Sequence, residues 1–122
     1  MEISFKELMN EFAGNTTTES NLYIASEFIG QYCMVRTYSA GVFAGTIDKR
    51  NGKEILLLNA RRIWQWQGAA SLSQLAQSGT SSPEGCKFPE AVDEVLLTET
   101  IEIIPITPAA AESIAKVPVW KK

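Results

Sequence analysis

From Phe28 to Arg62 the chain reads FIGQYCMVRTYSAGVFAGTIDKRNGKEILLLNARR, and its apolar and polar positions arrange themselves as three successive strands. The first is expected over Tyr32 to Tyr38, with Cys33 and Val35 on one face and Met34 and Arg36 on the other, because side chains alternate along an extended chain. Ser39, Ala40 and Gly41 turn the chain into a second strand, Val42 to Asp48, where Gly45 marks a sharp bend or a close backbone approach. Asn51-Gly52 is a hairpin signal, and a third strand runs from Lys53 through Leu58, with the chain extended onward through Ile63, Trp64 and Trp66. Between Gly68 and Gly79 the period changes to that of a helix, opened by Ser71 with Gln74 and stopped by Gly79. Val92 to Ile106 is extended again, but its alternation slips around Thr98 to Thr100, which splits it into two strands at a bend. Pro105 belongs at an edge or a strand end. Thr107 to Ala115 closes the pattern with a short helix carrying Pro108 in its first turn, followed by an extended piece at Val117 to Trp120. Ahead of all this, Phe5, Leu8, Met9 and Phe12 recur at helical spacing, and Leu22, Ala25, Phe28 and Ile29 suggest a second short helix ended by Gly30.

Taken together these elements define an α+β, mostly β chain: a small five-stranded barrel of SH3-like size with short N-terminal helices, an inserted helix and a short C-terminal helix. At 122 residues it is expected to be a single domain: a helical segment at 1–30, barrel strands at 31–66 and 91–106, a helix-loop insertion at 69–89, and a C-terminal helix and tail at 107–122. The 45% apolar content supports a core, though a modest one that oligomerisation would reinforce. No apolar run approaches the roughly 20 residues that span a bilayer, and the acidic N-terminus has no secretion-signal layout, so no membrane contact is expected. A net charge of −3 argues against a duplex-DNA binder, whose affinity comes from neutralising phosphates. The chain has no His and only two cysteines, Cys33 and Cys86, far apart in sequence. That combination removes the usual general base and zinc ligands, and no metal, cofactor or catalytic residue is assigned. Cys33 reads as a small buried hydrophobe, and no disulfide is expected.

At the level of pattern, Phe28-Ile29-Gly30-Gln31-Tyr32 followed by Val35-Arg36, Gly41, Gly45-Thr46-Ile47, Asp48 and Leu56 to Leu58 resembles the first half of an Sm-like fold. Val95-Leu96-Leu97 through Ile101-Glu102-Ile103-Ile104 resembles its second half. The strings RTYSAGV, ARRIW and TETIEIIP are similar to those of small bacteriophage and prophage proteins. These resemblances imply an Sm-like barrel and a viral accessory protein acting in the host bacterial cytoplasm. Two departures stand against the RNA site that an Sm-like fold implies. Thr98-Glu99-Thr100 puts an anion where Sm-like RNA binders carry Arg-Gly, and Lys49-Arg50-Asn51-Gly52 follows Asp48 without the Met-Asn of the usual base pocket.

The densest candidate chemistry is Arg61-Arg62-Ile63-Trp64-Gln65-Trp66. Alternation puts Arg62, Trp64 and Trp66 on one face, where a guanidinium can hold a phosphate and an indole can stack a base. The competing structural reading packs Trp64 on the inserted helix, with Arg62 stacked on it or paired to Glu94 or Glu99. Arg36 and Tyr38 are further candidates, Tyr38 as a second stacking platform. Lys49, Arg50 and Lys53 read as a solvated hairpin tip or an anion-facing loop. Asp93, Glu94, Glu99 and Glu102 read as solvated strand faces. The expectation is a non-enzymatic protein that binds a small anionic nucleotide-type ligand through Arg36, Tyr38, Arg61, Arg62, Trp64 and Trp66, at the boundary between protomers of a ring or dimer. Single-stranded RNA binding, and a virion component or direct inhibitor of a host enzyme, are the alternatives.

Overall fold

The computed structural model describes residues 28–121. The N-terminal helix expected over Ser4 to Phe12 and most of the one expected around Leu22 to Ile29 lie outside the described residues. Phe28 to Gly30 form a turn. Five strands follow: β1 (Tyr32–Thr37), β2 (Val42–Asn51), β3 (Glu54–Arg62), β4 (Val92–Leu97) and β5 (Thr100–Pro105). Helix α1 (Leu72–Ser78) and a 3-10 turn (Pro83–Gly85) lie between β3 and β4, and helix α2 (Pro108–Ala115) follows β5. All pairings are antiparallel and the sheet order is β4-β3-β2-β1-β5.

This sheet is not closed into a barrel, which corrects the expected architecture: β4 pairs only with β3 and β5 only with β1. Yet the two edge strands are joined by Thr98-Glu99 alone. Three Cα steps reach about 11 Å at most, so the sheet curls until its edges approach at that end. The Lys53 carbonyl on the β2–β3 loop accepts from Thr100 N at 3.1 Å, tying the start of β5 to the opposite half of the sheet.

Two irregularities of the β2–β3 pairing accompany the curl, and a third lies between Arg36 and Thr37 where β1 meets β5. The β2–β3 register shifts between Ala44 and Thr46, where Gly45 faces both Asn59 and Ala60. Asn59 adopts φ 51, a left-handed conformation that a short polar side chain tolerates. A Cβ on Gly45 would lie 2.8 Å from both Leu57 Cγ and the Leu58 carbonyl oxygen, so the close approach expected there is real. A second shift, between Ile47 and Lys49, leaves Asp48 bulged. Beyond it β2 runs three residues further than expected, because the Lys49 to Asn51 arm pairs with β3 although its side chains are all exposed. The turn itself is Gly52-Lys53, one residue later than Asn51-Gly52.

Apolar residues fill both faces of the sheet. The concave face holds Cys33, Val35, Phe43, Ile47, Ile55, Leu57, Ala60 and Leu97. Burial pushes the Cys33 thiol up from 9.0 to about 11. Met34 and Ala44 face the other way, into a second core built with Ile63, Leu75, Phe88, Ala110 and Ile114 from the α1 and α2 region. The 63–91 segment is thus a cover for the convex face. Its helix begins where expected: Ser71 Oγ accepts from Gln74 N at 3.1 Å, while Gln74 Oε1 reaches back to Ala70 N at 2.8 Å. In α2 the cap is Thr107, whose hydroxyl accepts from Ala110 N at 3.1 Å. Pro105 is the last residue of the edge strand β5, a position where its missing N–H costs the ladder nothing. Cys33 and Cys86 are both buried and free.

Candidate functional site

Past Arg62 the chain leaves the sheet but stays extended, and Gln65 makes an antiparallel bridge with Lys87. Trp64 N donates to the Lys87 carbonyl at 3.1 Å and Lys87 N to the Gln65 carbonyl at 2.7 Å. This continuation brings Arg62, Ile63, Trp64 and Trp66 to the same groove, although strict alternation is lost, since Trp66 packs on the same core as Ile63. The groove is open, of about 470 Å³, and they line it with Ser39, Ala40, Gly41 and Val42. One wall is therefore the β1–β2 turn and the other the Arg62 to Trp66 segment.

Within the groove Trp64 is 62% exposed, a large indole left to solvent. It does not pack on the inserted helix. Trp66 is half-buried against the convex-face core and forms part of the wall. Arg62 lies over the Phe43 ring, 4.3 Å from its centroid, and its Nη1 donates to the Ala40 carbonyl. Among the described residues no carboxylate pairs with it; Glu94 and Glu99 make no ion pair with Arg62. Gly41, at φ 100, permits this arrangement twice over: it makes the left-handed turn, and a Cβ there would sit 3.1 Å from Arg62 Nη1.

Arg61 faces the other way and has a different task. Its Nε donates to the Pro89 carbonyl at 3.1 Å, Nη1 to Ile114 at 3.0 Å, and Nη2 to Phe88 at 3.2 Å and Val117 at 2.7 Å. It also lies 5.4 Å from the Phe88 ring centroid. Burial lowers its pKa, opposed by the neighbouring Tyr32, whose own hydroxyl is raised by burial and pulled back by the Arg61 charge. Arg61 binds the C-terminal end of α2 and the 88–89 backbone to β3, and it does not reach the groove.

The remaining candidates are dispersed. Arg36 Nε pairs with Glu102 Oε1 at 2.9 Å across β1 and β5, with both side chains nearly half exposed. Tyr38 is 77% exposed and stands one residue before the groove rim, and its N–H donates to the Glu99 carbonyl at 2.9 Å. Of six candidates, three line the groove, one borders it, and Arg36 and Arg61 are engaged elsewhere. Sequence reasoning read Ser39, Ala40 and Gly41 as a turn, but did not assign Ala40 to Val42 as a wall of the groove or Phe43 as the shelf beneath Arg62. The Gly41 turn was their only sequence signal.

Among the described residues there are also smaller depressions. One of about 440 Å³ is lined by Lys49, Arg50, Asn51, Glu54, Leu56 and Leu96. Another, about 230 Å³, is bordered by Phe28, Arg50 and Thr100 to Ile103. Arg50 Nε bonds the Gly52 carbonyl of its own turn at 3.0 Å. No group of three or more His, Cys, Asp or Glu among the described residues is placed to hold a metal. No helix among the described residues is long and apolar enough to cross a membrane.

Fold and groove define a curled antiparallel sheet, backed by two helices, with an aromatic cleft carrying one cation. The chain belongs to the family of the domain of unknown function DUF6948, whose family model matches residues 30–114, from just before β1 into α2. No curated protein and no solved structure matches the chain.

Proposed function

We propose that this protein is a non-enzymatic binding protein whose groove takes a small anionic ligand of nucleotide type. The observation that carries the reading is the pairing of an exposed Trp64 indole with an Arg62 guanidinium that is held in place but has no carboxylate partner among the described residues. A guanidinium without a counter-charge is suited to an external oxyanion, and an exposed indole to stacking a planar ring. The order β4-β3-β2-β1-β5, with β4 handed straight to β5, supports an Sm-like kinship of the sheet. The open edges of β4 and β5 are suited to pairing between protomers in a ring or dimer. Tyr38, bonded to Glu99 at the start of β5, lies between that edge and the groove rim, so assembly would bring a neighbour close to the ligand. With the phage-like strings, this favours an accessory protein that sequesters a host immune signal of nucleotide type in the bacterial cytoplasm.

The test is a thermal-shift screen of nucleosides and nucleotides on the purified protein, paired with native mass spectrometry. A ligand at 100 times its Kd adds about 2.7 kcal/mol, which moves the Tm of a domain this size by about 10 °C. Such a shift, abolished by Trp64→Ala, supports the reading. The absence of any shift across the panel refutes it, and a strictly monomeric mass refutes the interface version.

A further inference from the structure

The number of cations that face the groove limits the ligand further than its shape does. Of the eight residues lining it, Arg62 alone is charged. The other cations nearby are accounted for. Arg61 donates to four backbone carbonyls. Arg36 pairs with Glu102. Lys87 Nζ sits 5.5 Å from the centroid of the Trp120 ring.

Arg62 is itself only partly used. Nη1 is taken by the Ala40 carbonyl, and one guanidinium face is covered by Phe43. Nε and Nη2 make no hydrogen bond within the protein among the described residues. Those two N–H groups form the edge of a guanidinium that meets two oxygens of one phosphate or carboxylate in parallel. Phe43 and the Ala40 carbonyl fix the plane of that edge in advance. They are positioning groups, since they act on the ligand only through Arg62.

Resting on the reading of the groove as an anion-accepting aromatic site, we infer that it selects ligands with a single phosphate on a planar ring system. Nucleoside monophosphates fit this class; polyphosphates and polyanionic strands do not. One fork holds one oxyanion. A second or third phosphate would lie against Val42, Ile63 and the Trp indoles, or in water, with no further cation among the described lining residues to meet it. The net charge of −3 adds no general attraction for the extra anions. The groove's 470 Å³ lies within the range that encloses a small ligand, with room for one ring stacked on Trp64 and its sugar.

The experiment is isothermal titration of the full chain with the nucleoside, mono-, di- and triphosphate of each of the four common ribonucleosides, and with inorganic phosphate. It is repeated on Arg62→Lys and Trp64→Ala. A monophosphate should bind at least tenfold tighter than its nucleoside and than inorganic phosphate, and tighter than its di- and triphosphate. Arg62→Lys should erase the monophosphate's advantage while leaving nucleoside affinity within threefold, because an ammonium cannot offer the parallel pair. Trp64→Ala should weaken nucleoside and monophosphate alike. A triphosphate as tight as or tighter than the monophosphate overturns the single-phosphate inference while the groove reading stands. So does a monophosphate advantage that survives Arg62→Lys. If no nucleoside or nucleotide binds at all, the groove reading fails and the inference falls with it.

Discussion

Arg61→Ala is the substitution that most sharply separates structure from recognition in this chain. Arg61 donates to four carbonyls, but these are not equivalent. Phe88 O still accepts from Trp120 N at 3.0 Å, and Ile114 O from Val117 N at 3.1 Å. Among the described residues Pro89 O and Val117 O have no other protein donor, so those two lose their partner outright. Taking about 1 kcal/mol for each carbonyl stripped and about 0.5 kcal/mol for each that keeps a second donor gives roughly 3 kcal/mol. Lost packing on Phe88 adds to this, and relief of the buried charge's desolvation subtracts a comparable amount. Against a total of about 5–15 kcal/mol that is a large fraction, and at a urea m-value of about 1.5 kcal/mol/M it lowers the midpoint by about 2 M. The assay is urea unfolding at pH 7, followed by tryptophan fluorescence. Arg62→Ala is the control: it loses one hydrogen bond and its cover over the buried Phe43 ring, and should cost about 1–2 kcal/mol, less than Arg61→Ala. If Arg61→Ala unfolds within about 0.5 kcal/mol of the parent, or if Arg62→Ala is the more damaging, the assignment of the two arginines is wrong.

The remaining predictions concern the sheet and its concave core. Gly45→Ala should cost about 2 kcal/mol, because the new methyl lands 2.8 Å from Leu57 Cγ and the Leu58 carbonyl; an unchanged urea midpoint would contradict the close approach. Asn59→Gly should leave stability within about 0.5 kcal/mol, whereas Asn59→Val should cost more than about 1 kcal/mol, since φ 51 opposes a β-branched residue; equal midpoints for the two would remove the left-handed bend. Raising the pH should destabilise the fold. The unfolded Cys33 thiol ionises around 9.0 while the folded one holds its proton until about 11, so the unfolded state binds fewer protons between those values. The upward shift of Tyr32 acts in the same direction at higher pH. Urea midpoints should be level below pH 9 and fall from there toward pH 11, with a shallower fall in Cys33→Ala; a flat or rising profile is the contrary result.

Much of this molecule could be read along the chain because the relevant signals are local. Cys33 and Val35 against Met34, the Gly45 bend, the break at Thr98-Glu99, the Ser71 cap and Pro108 in the first turn of α2 each depend on a few neighbouring residues, and each is found in the structure. That Arg62, Trp64 and Trp66 line one groove agrees with their nearness in the chain, but not through alternation, since Ile63 lines it too. What distinguishes Arg61 from Arg62 was not legible. The carbonyls that hold Arg61 come from 27 to 56 residues downstream, and no spacing near the RR pair announces them. The closed barrel was an over-reading of the same kind. Strand content follows from alternation, but whether β4 meets β5 depends on how far the whole sheet curls. Asn59 also gave no warning, since nothing beside it carries the composition of a turn.

The Thr98-Glu99 link has a mechanical consequence. In an open sheet the outermost strands ordinarily peel away separately, each loosening at small cost while the middle holds. Here the two outermost strands are consecutive in the chain, and a tether two residues long hands any tension from one directly to the other. Detaching β4 from β3 drags on β5, and freeing β5 draws on β4. Amide hydrogen exchange along both should therefore proceed through one shared opening, with similar protection on strands that occupy opposite ends of the ladder.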